Sequence, residues 1–277
     1  MMYAEYWGLT DSPFSNRPEA RWYYSSGGHE EALSRLLFLV ENRRRCGLLA
    51  GPAGGGKSLL LEMLRRSLDH SPRELIQLDL FGHGVADLLW DLSTAVSLPL
   101  PRSSSVRDLW RAIEEHLEAN TLAQTPTVLV CDHLDDADPE CVLALRRIHG
   151  VAASSACGLT LIPVVRRASL LLRQSGISQL ADLKIELPPL EEAETRAYID
   201  ALLEATGCQT HPFEPAACLQ IHRLSKGLPR TINQLCDLAL LAGMASEVDR
   251  VTAEMVVAVA EELPTAFRPH RPAALVE

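Results

Sequence analysis

The polar and apolar positions of this chain follow two regimes that meet near Pro188-Pro189. Before that pair, short apolar runs alternate with amphipathic stretches. Cys46 to Ala50, Glu74 to Leu80, Thr127 to Cys131, Leu159 to Val165 and Leu183 to Leu187 read as strands. The third, β-branched and unbroken up to Asp132, has the pattern of a strand buried on both faces of a parallel sheet. Between them the helical period predicts helices at His29 to Arg45, Leu59 to Leu68, Val85 to Ser97, Val106 to Asn120, Pro139 to Ala152 and Ala168 to Gln179. Strands separated by helices predict an α/β fold, a three-layer domain around a parallel five-stranded sheet. From Glu191 onward only helical patterns remain, over 191–206, 213–225, 229–243 and 252–262, with Thr252 as an N-cap. The expected organisation is a core over 1–188, an all-helical lid over 189–263 and a flexible tail over 264–277. Residues 1–28, aromatic and turn-rich, are expected to pack across the core without folding alone.

The strongest local chemistry lies between the first strand and the helix after it. Gly51-Pro52-Ala53-Gly54-Gly55-Gly56-Lys57-Ser58 fits the phosphate-binding pattern G-x-x-x-x-G-K-[ST], with Leu59 following it into the helix. Glycines let backbone N–H groups curl around phosphate, Lys57 reaches the β- and γ-phosphates as a point charge, and the Ser58 hydroxyl can ligate Mg²⁺. The helix adds the positive end of its dipole. Lysine occurs only at 57, 184 and 226, so a chance use of one here is improbable. ATP with Mg²⁺ is the cofactor this implies, and Asp132 is the strand-ending carboxylate that would share the metal with Ser58.

Composition narrows the partners. The formal net charge is −10, which argues against bare nucleic acid as the main partner, since phosphate contacts need Lys and Arg in excess. Arg43-Arg44-Arg45 is the densest basic run, and it reads as a solvated helix end or as a local patch. Seven cysteines without a C-x-x-C pair read as small buried hydrophobes of a reducing compartment. With no leader pattern and no apolar run of about 18 to 20 residues to span a bilayer, a cytoplasmic location is expected.

Four stretches then resemble the AAA+ ATPases of the secretion-pathway protein A (ExeA-like) group, relatives of the transposition and origin-recognition-type ATPases. They are Tyr3 to Phe14, Tyr24 to Leu33, Pro189-Leu190 with Glu194 to Ile199, and Ile221 to Asn233, the last similar to that group's sensor 2 helix. The resemblance covers residues 3 to about 262. It implies strand order 5-1-4-3-2, ATP held between core and lid, assembly into homo-oligomers, action on a partner protein, and Arg230 reaching the nucleotide phosphates. It also implies that Pro13 and Phe14 lie near the adenine, although Phe14 reads equally as core.

Three positions depart from the group. His133 stands where a glutamate usually follows the Walker B aspartate; its imidazole can accept a proton but lacks the fixed charge that polarises water. Asp135 and Asp136 are close in sequence, but their offset past the strand end turns them elsewhere. Arg167 occupies the sensor 1 position, where it either clamps the γ-phosphate or faces solvent. Leu183, with Lys184 beside it, stands where an arginine is usually offered to a neighbouring subunit. Lys57, Asp132, His133 and Arg230 are thus the catalytic candidates. A slow ATPase switch, an ATP-binding scaffold with negligible hydrolysis and a DNA-associated transposition-type ATPase are the competing readings.

Overall fold

A computed structural model of the chain describes residues 2–17, 19–69, 72–154, 158–166 and 176–263. Contacts divide it into two compact units: one within Met1–Gly28, Gly54–Leu59 and Pro188–Glu277, the other His29–Ala53 with Leu60–Leu187.

The second unit is built on β1 (Gly47–Gly51), β2 (Glu74–Asp79), β3 (Thr127–Asp132), β4 (Leu159–Arg166) and β5 (Leu183–Glu186). All pair in parallel, in the order β2-β3-β4-β1-β5, the order that the family resemblance implies. The apolar runs are continuous because both faces are covered. Leu48, Ala50, Leu78, Leu129, Cys131 and Leu161 pack with leucines of α4 (Val85–Ala95), α5 (Val106–Leu122) and α6 (Pro139–Ser154). Leu49, Val128, Val130, Ile162 and Ile185, alternating with them, pack instead with α2 (Gly27–Glu41) and α3 (Lys57–Leu68). The strand period of two thus separates the outer layers of the three-layer fold. Ser105 starts α5 as a capping box with Asp108.

One boundary needs correcting. α2 stops at Glu41, four residues before the expected end, because Arg43 takes a left-handed conformation (φ 49°). Its N–H bonds the Val40 carbonyl and that of Arg44 bonds Leu39, the paired closure of a Schellman end. The three arginines therefore follow the helix and do not form its last turn. The helix expected over 168–179 lies largely outside the described residues, which show only a helical turn at Ile177–Leu180.

The other unit holds α7 (Glu192–Ala205), α8 (Pro215–Ser225), α9 (Pro229–Ala245) and α10 (Ala253–Glu262), the last capped by the Thr252 hydroxyl as expected. The N-terminal segment belongs to this core. Tyr3, Leu9, Phe14 and Trp22 are buried with Ile199, Phe213, Ile232 and Leu240. The short helix α1 (Met2–Tyr6) contributes Tyr3, whose hydroxyl hydrogen-bonds Asp237, and the Trp7 indole donates to the Leu240 carbonyl at 2.9 Å. Aromatic bulk here completes a helical core too small to close by itself. Among the described residues, no helix is long and apolar enough to cross a membrane.

Phe14 is 1% exposed and meets Phe213 edge to face at 6.3 Å, which is core packing. Phe14→Ala is expected to lower unfolding stability by about 3–5 kcal/mol, read by urea titration of the helical signal.

Candidate functional site

β1 is buried along its whole length and leaves the sheet at Gly51. Pro52 to Gly56 form the turn, and α3 begins at Lys57. Gly54 (φ 74°) and Gly56 (φ 95°) adopt left-handed conformations that a side chain disfavours. Gly55 is buried; Pro52, Gly54, Gly56, Lys57 and Leu59 are half-buried; Ala53 and Ser58 are exposed. A strand end, a turn with glycine at the left-handed positions and a helix N-terminus make a concave row of N–H donors suited to phosphate. The residues present therefore fit a nucleotide polyphosphate. Each considered by itself, the Ser58 hydroxyl and the Asp132 carboxylate are oxygen donors of the hard kind that suits Mg²⁺.

Parallel strands end on one edge of the α/β unit, and that edge carries the chemistry. Asp132, 5% exposed, is the last residue of β3, in register with Asp79 at the end of β2. Its side chain accepts the N–H of His133 at 2.9 Å. His133 turns the chain out of the sheet in a left-handed conformation (φ 52°), with Nδ1 2.8 Å from Asp79 Oδ1 and its ring edge-on to Phe81 at 6.2 Å. Beyond it, Asp135 and Asp136 both bind the guanidinium of Arg166, the last residue of β4 and the register partner of Gly51. The Asp135 hydrogen bond and charge hold Arg166 still more firmly in its charged form. Both spare acids near the strand end are therefore committed to an ion pair.

The remaining sequence candidates separate. Arg167 lies outside the described residues. Leu183 opens β5, and the Lys184 amine pairs with Glu186 in its own strand at 2.6 Å. In the helical unit, the Arg230 N–H donates to the Gly54 carbonyl at 3.2 Å. A Cβ on Gly54 would lie 2.9 Å from that of Arg230, so glycine permits this approach as well as the loop's φ. Asn16 donates to the Arg230 carbonyl at 3.3 Å, Asn233 to Asn16 Oδ1 at 3.1 Å, and Tyr198 to Asn233 Oδ1 at 2.9 Å. Asn16, Asp79 and Arg166 escaped the sequence reading. None of the three stood out: Asp79 lies inside the alternating stretch Glu74 to Leu80.

Sheet order, glycine turn and strand-end aspartate together match those of AAA+ proteins. A family model described as the AAA domain matches residues 40–172. The chain is similar to the general secretion pathway protein A of Aeromonas hydrophila, 30% identical over 250 residues, a match that takes in 88% of this chain and 45% of that protein. It thus spans about half the length of the curated relative it matches, and the resemblance read from its four motifs is borne out. Among solved structures it is similar to Cdc6p from Pyrobaculum aerophilum, with a TM-score of 0.74 at 16% identity over 93% of this chain and 72% of that one. It is also similar to the ORC1 protein of Aeropyrum pernix in complex with DNA, with a TM-score of 0.67 at 17% identity over 90% and 73% of the two chains. At such identities these two likenesses speak for the fold.

The loop that presents Phe81 is held by His83, whose Nδ1 lies 3.1 Å from the Phe81 carbonyl and Nε2 2.9 Å from Asp91. Two acceptors on one ring favour the imidazolium, and the Asp91 hydrogen bond raises the His83 pKa above its ordinary 6.5. A raised native pKa adds stability that is fully present below the unfolded value and lost as pH rises through the native one. The stability gap between wild type and His83→Gln, from urea titrations, is expected to be widest below about pH 6.5 and to close at higher pH.

Proposed function

We propose that the protein binds ATP with Mg²⁺ at the Gly51–Ser58 loop and hydrolyses it slowly, using nucleotide state to drive lid closure, self-assembly and a change in a partner protein. The observation that carries this reading is the loop itself, with glycine at both left-handed positions and the Arg230 backbone on Gly54. In it the backbone N–H groups of Gly54 to Ser58 and the first turn of α3 bind the phosphates. Lys57 places its charge on the β- and γ-phosphates, and Arg230 approaches them from the start of α9. Ser58 and Asp132 would hold Mg²⁺, which would supply positive charge to offset that of the phosphates. Leu59 and Pro52 line the turn. A cytoplasmic setting suits the free thiols, of which Cys46, Cys131, Cys141, Cys218 and Cys236 are buried. Burial pushes the Cys46 thiol up to about 12, leaving it inert.

His133 favours a second reading, a scaffold that holds ATP with negligible turnover, because the strand end lacks the fixed charge of a glutamate and both nearby aspartates are paired with Arg166. Steady-state hydrolysis separates the two. Wild type is expected to exceed a Lys57→Ala control at least tenfold, a difference of about 1.4 kcal/mol. Binding of a fluorescent ATP analogue should weaken in Lys57→Ala and Arg230→Ala. Equal rates in wild type and Lys57→Ala, with the analogue still bound by wild type, would establish the scaffold instead. His133→Glu is expected to raise the rate.

A further inference from the structure

Arg43, Arg44 and Arg45 form an exposed run of three guanidiniums in a chain whose formal net charge is −10. Among the described residues, none of the three side chains pairs with an acid. We propose that this run, together with Phe38, is a docking surface for a short acidic segment of a partner protein. It lies at the opposite end of β1 from Gly51, and the proposal goes beyond the nucleotide reading without resting on it.

The helix end does not need these charges. The Asn42 N–H bonds the Phe38 carbonyl at 3.0 Å, that of Arg43 bonds Val40 at 3.2 Å and that of Arg44 bonds Leu39 at 2.9 Å. Carbonyls that a helix C-terminus leaves open are thus closed by the backbone itself, and a single cation is enough to complement the dipole. Arg43 also occupies the left-handed closing position (φ 49°), where glycine is usual because a Cβ disfavours that conformation. An arginine kept there gives up backbone stability, and what it adds is a guanidinium in solvent.

The run is held still. The Arg44 carbonyl accepts the Thr160 hydroxyl at 2.7 Å, and the Arg45 carbonyl accepts the Leu161 N–H at 2.9 Å. Asp182 Oδ2 accepts the N–H groups of Arg45 and Cys46 at 2.8 and 3.2 Å, so the carboxylate that the run does meet serves its main chain. A backbone fixed in this way loses little freedom when a partner binds. Phe38, 47% exposed, has the Arg44 guanidinium over its ring at 5.9 Å and offers an apolar contact next to the charges.

The size and surroundings of the patch decide which anion it suits. Guanidiniums grip carboxylates through two parallel hydrogen bonds, a geometry that lysine lacks. Lipid surfaces take basic clusters of about four to eight Lys/Arg, and a duplex is held through about six to ten phosphates. Three arginines beside exposed Glu41, on a helix that also exposes Glu30 and Glu31, are too few and too closely flanked by acids for such extended polyanions. A short acidic stretch with an apolar side chain for Phe38 needs only the tip.

The test is fluorescence anisotropy with the full chain and a short labelled peptide of glutamates and leucines, with a lysine–leucine peptide as control. Wild type should bind the glutamate peptide in low salt and release it as added salt shortens the screening length from about 10 Å to about 3 Å. The triple variant Arg43→Gly, Arg44→Ala, Arg45→Ala should weaken binding about tenfold or more, and Phe38→Ala roughly two- to fivefold. Replacing Arg65 and Arg66 by alanine removes two arginines already paired with Glu62 and should leave binding unchanged. Arg43→Gly alone should melt no lower than wild type, and every variant should bind the fluorescent ATP analogue as wild type does. No binding of the glutamate peptide by wild type, or equal binding by the triple variant, would overturn the docking role. A lower melting temperature in Arg43→Gly would overturn it by showing that the residue serves the fold. Arginine-dependent binding of duplex DNA or of phosphatidylglycerol vesicles in place of the peptide would also overturn it, assigning the patch to nucleic acid or to a membrane.

Discussion

The burial of β1 is the constraint on which the rest depends. Its five residues, Gly47 to Gly51, are all buried, and the strand is hydrogen-bonded to β4 on one side and β5 on the other. A strand in that position cannot slip: a shift by one residue would exchange Leu49 with Leu48 and Ala50 between two different cores and break ladder bonds with no water to replace them. The register that places Gly51 opposite Arg166 also fixes where the glycine turn begins. The start of the glycine turn is therefore set by the sheet, and the glycines supply the conformations that the turn demands.

A second layer of control comes from side chains that lock the loops leaving the sheet. Arg166 ties the turn after β3 to the end of β4, and Asp79 ties the end of β2 to the first residue after β3. The Asp79–His133 contact is worth little to folding because both side chains are exposed to water, whereas Asp135 meets Arg166 from a side chain only 5% exposed. Their consequence is local. They restrict the conformations available to Asp132 and His133 at the strand end. The same economy appears in the helical unit, where Asn16, Asn233 and Tyr198 form a chain of hydrogen bonds ending on the Arg230 backbone.

What the sequence made legible follows from what each signal measures. The three central strands, β1, β3 and β4, were readable because burial on both faces forces unbroken apolar runs, and the glycine turn because its residue types are set by φ. The early end of α2 was hidden because its left-handed closing residue is Arg43, where glycine would have announced it. The destination of the N-terminal aromatics was hidden because apolarity says that a segment is buried, not against what. Tyr3 finds Asp237 and Trp7 finds Leu240, pairings separated by more than 230 residues. Of the candidate site, the turn and the strand-end aspartate were legible, and the Asp79–His133 and Arg166 pairs were not. Those pairs depend on β-strand register, which no local pattern encodes.

Register also decides what kind of polarising group this edge can offer. A glutamate directly after Asp132 would bring a full negative charge to within about 4 Å of an attacking water, where a unit charge interacts with another at about 4 kcal/mol for an effective dielectric of 20. With His133 the charge sits on Asp79, one ring further away. At roughly twice the distance the same interaction falls to about 2 kcal/mol, and a difference of about 2 kcal/mol in the barrier is roughly a thirtyfold difference in rate. The imidazole returns part of this through the direction of its Nε2 lone pair, since orientation alone lowers barriers by removing rotational freedom from the water. On the hydrolytic reading proposed above, this strand end orients water more than it polarises it.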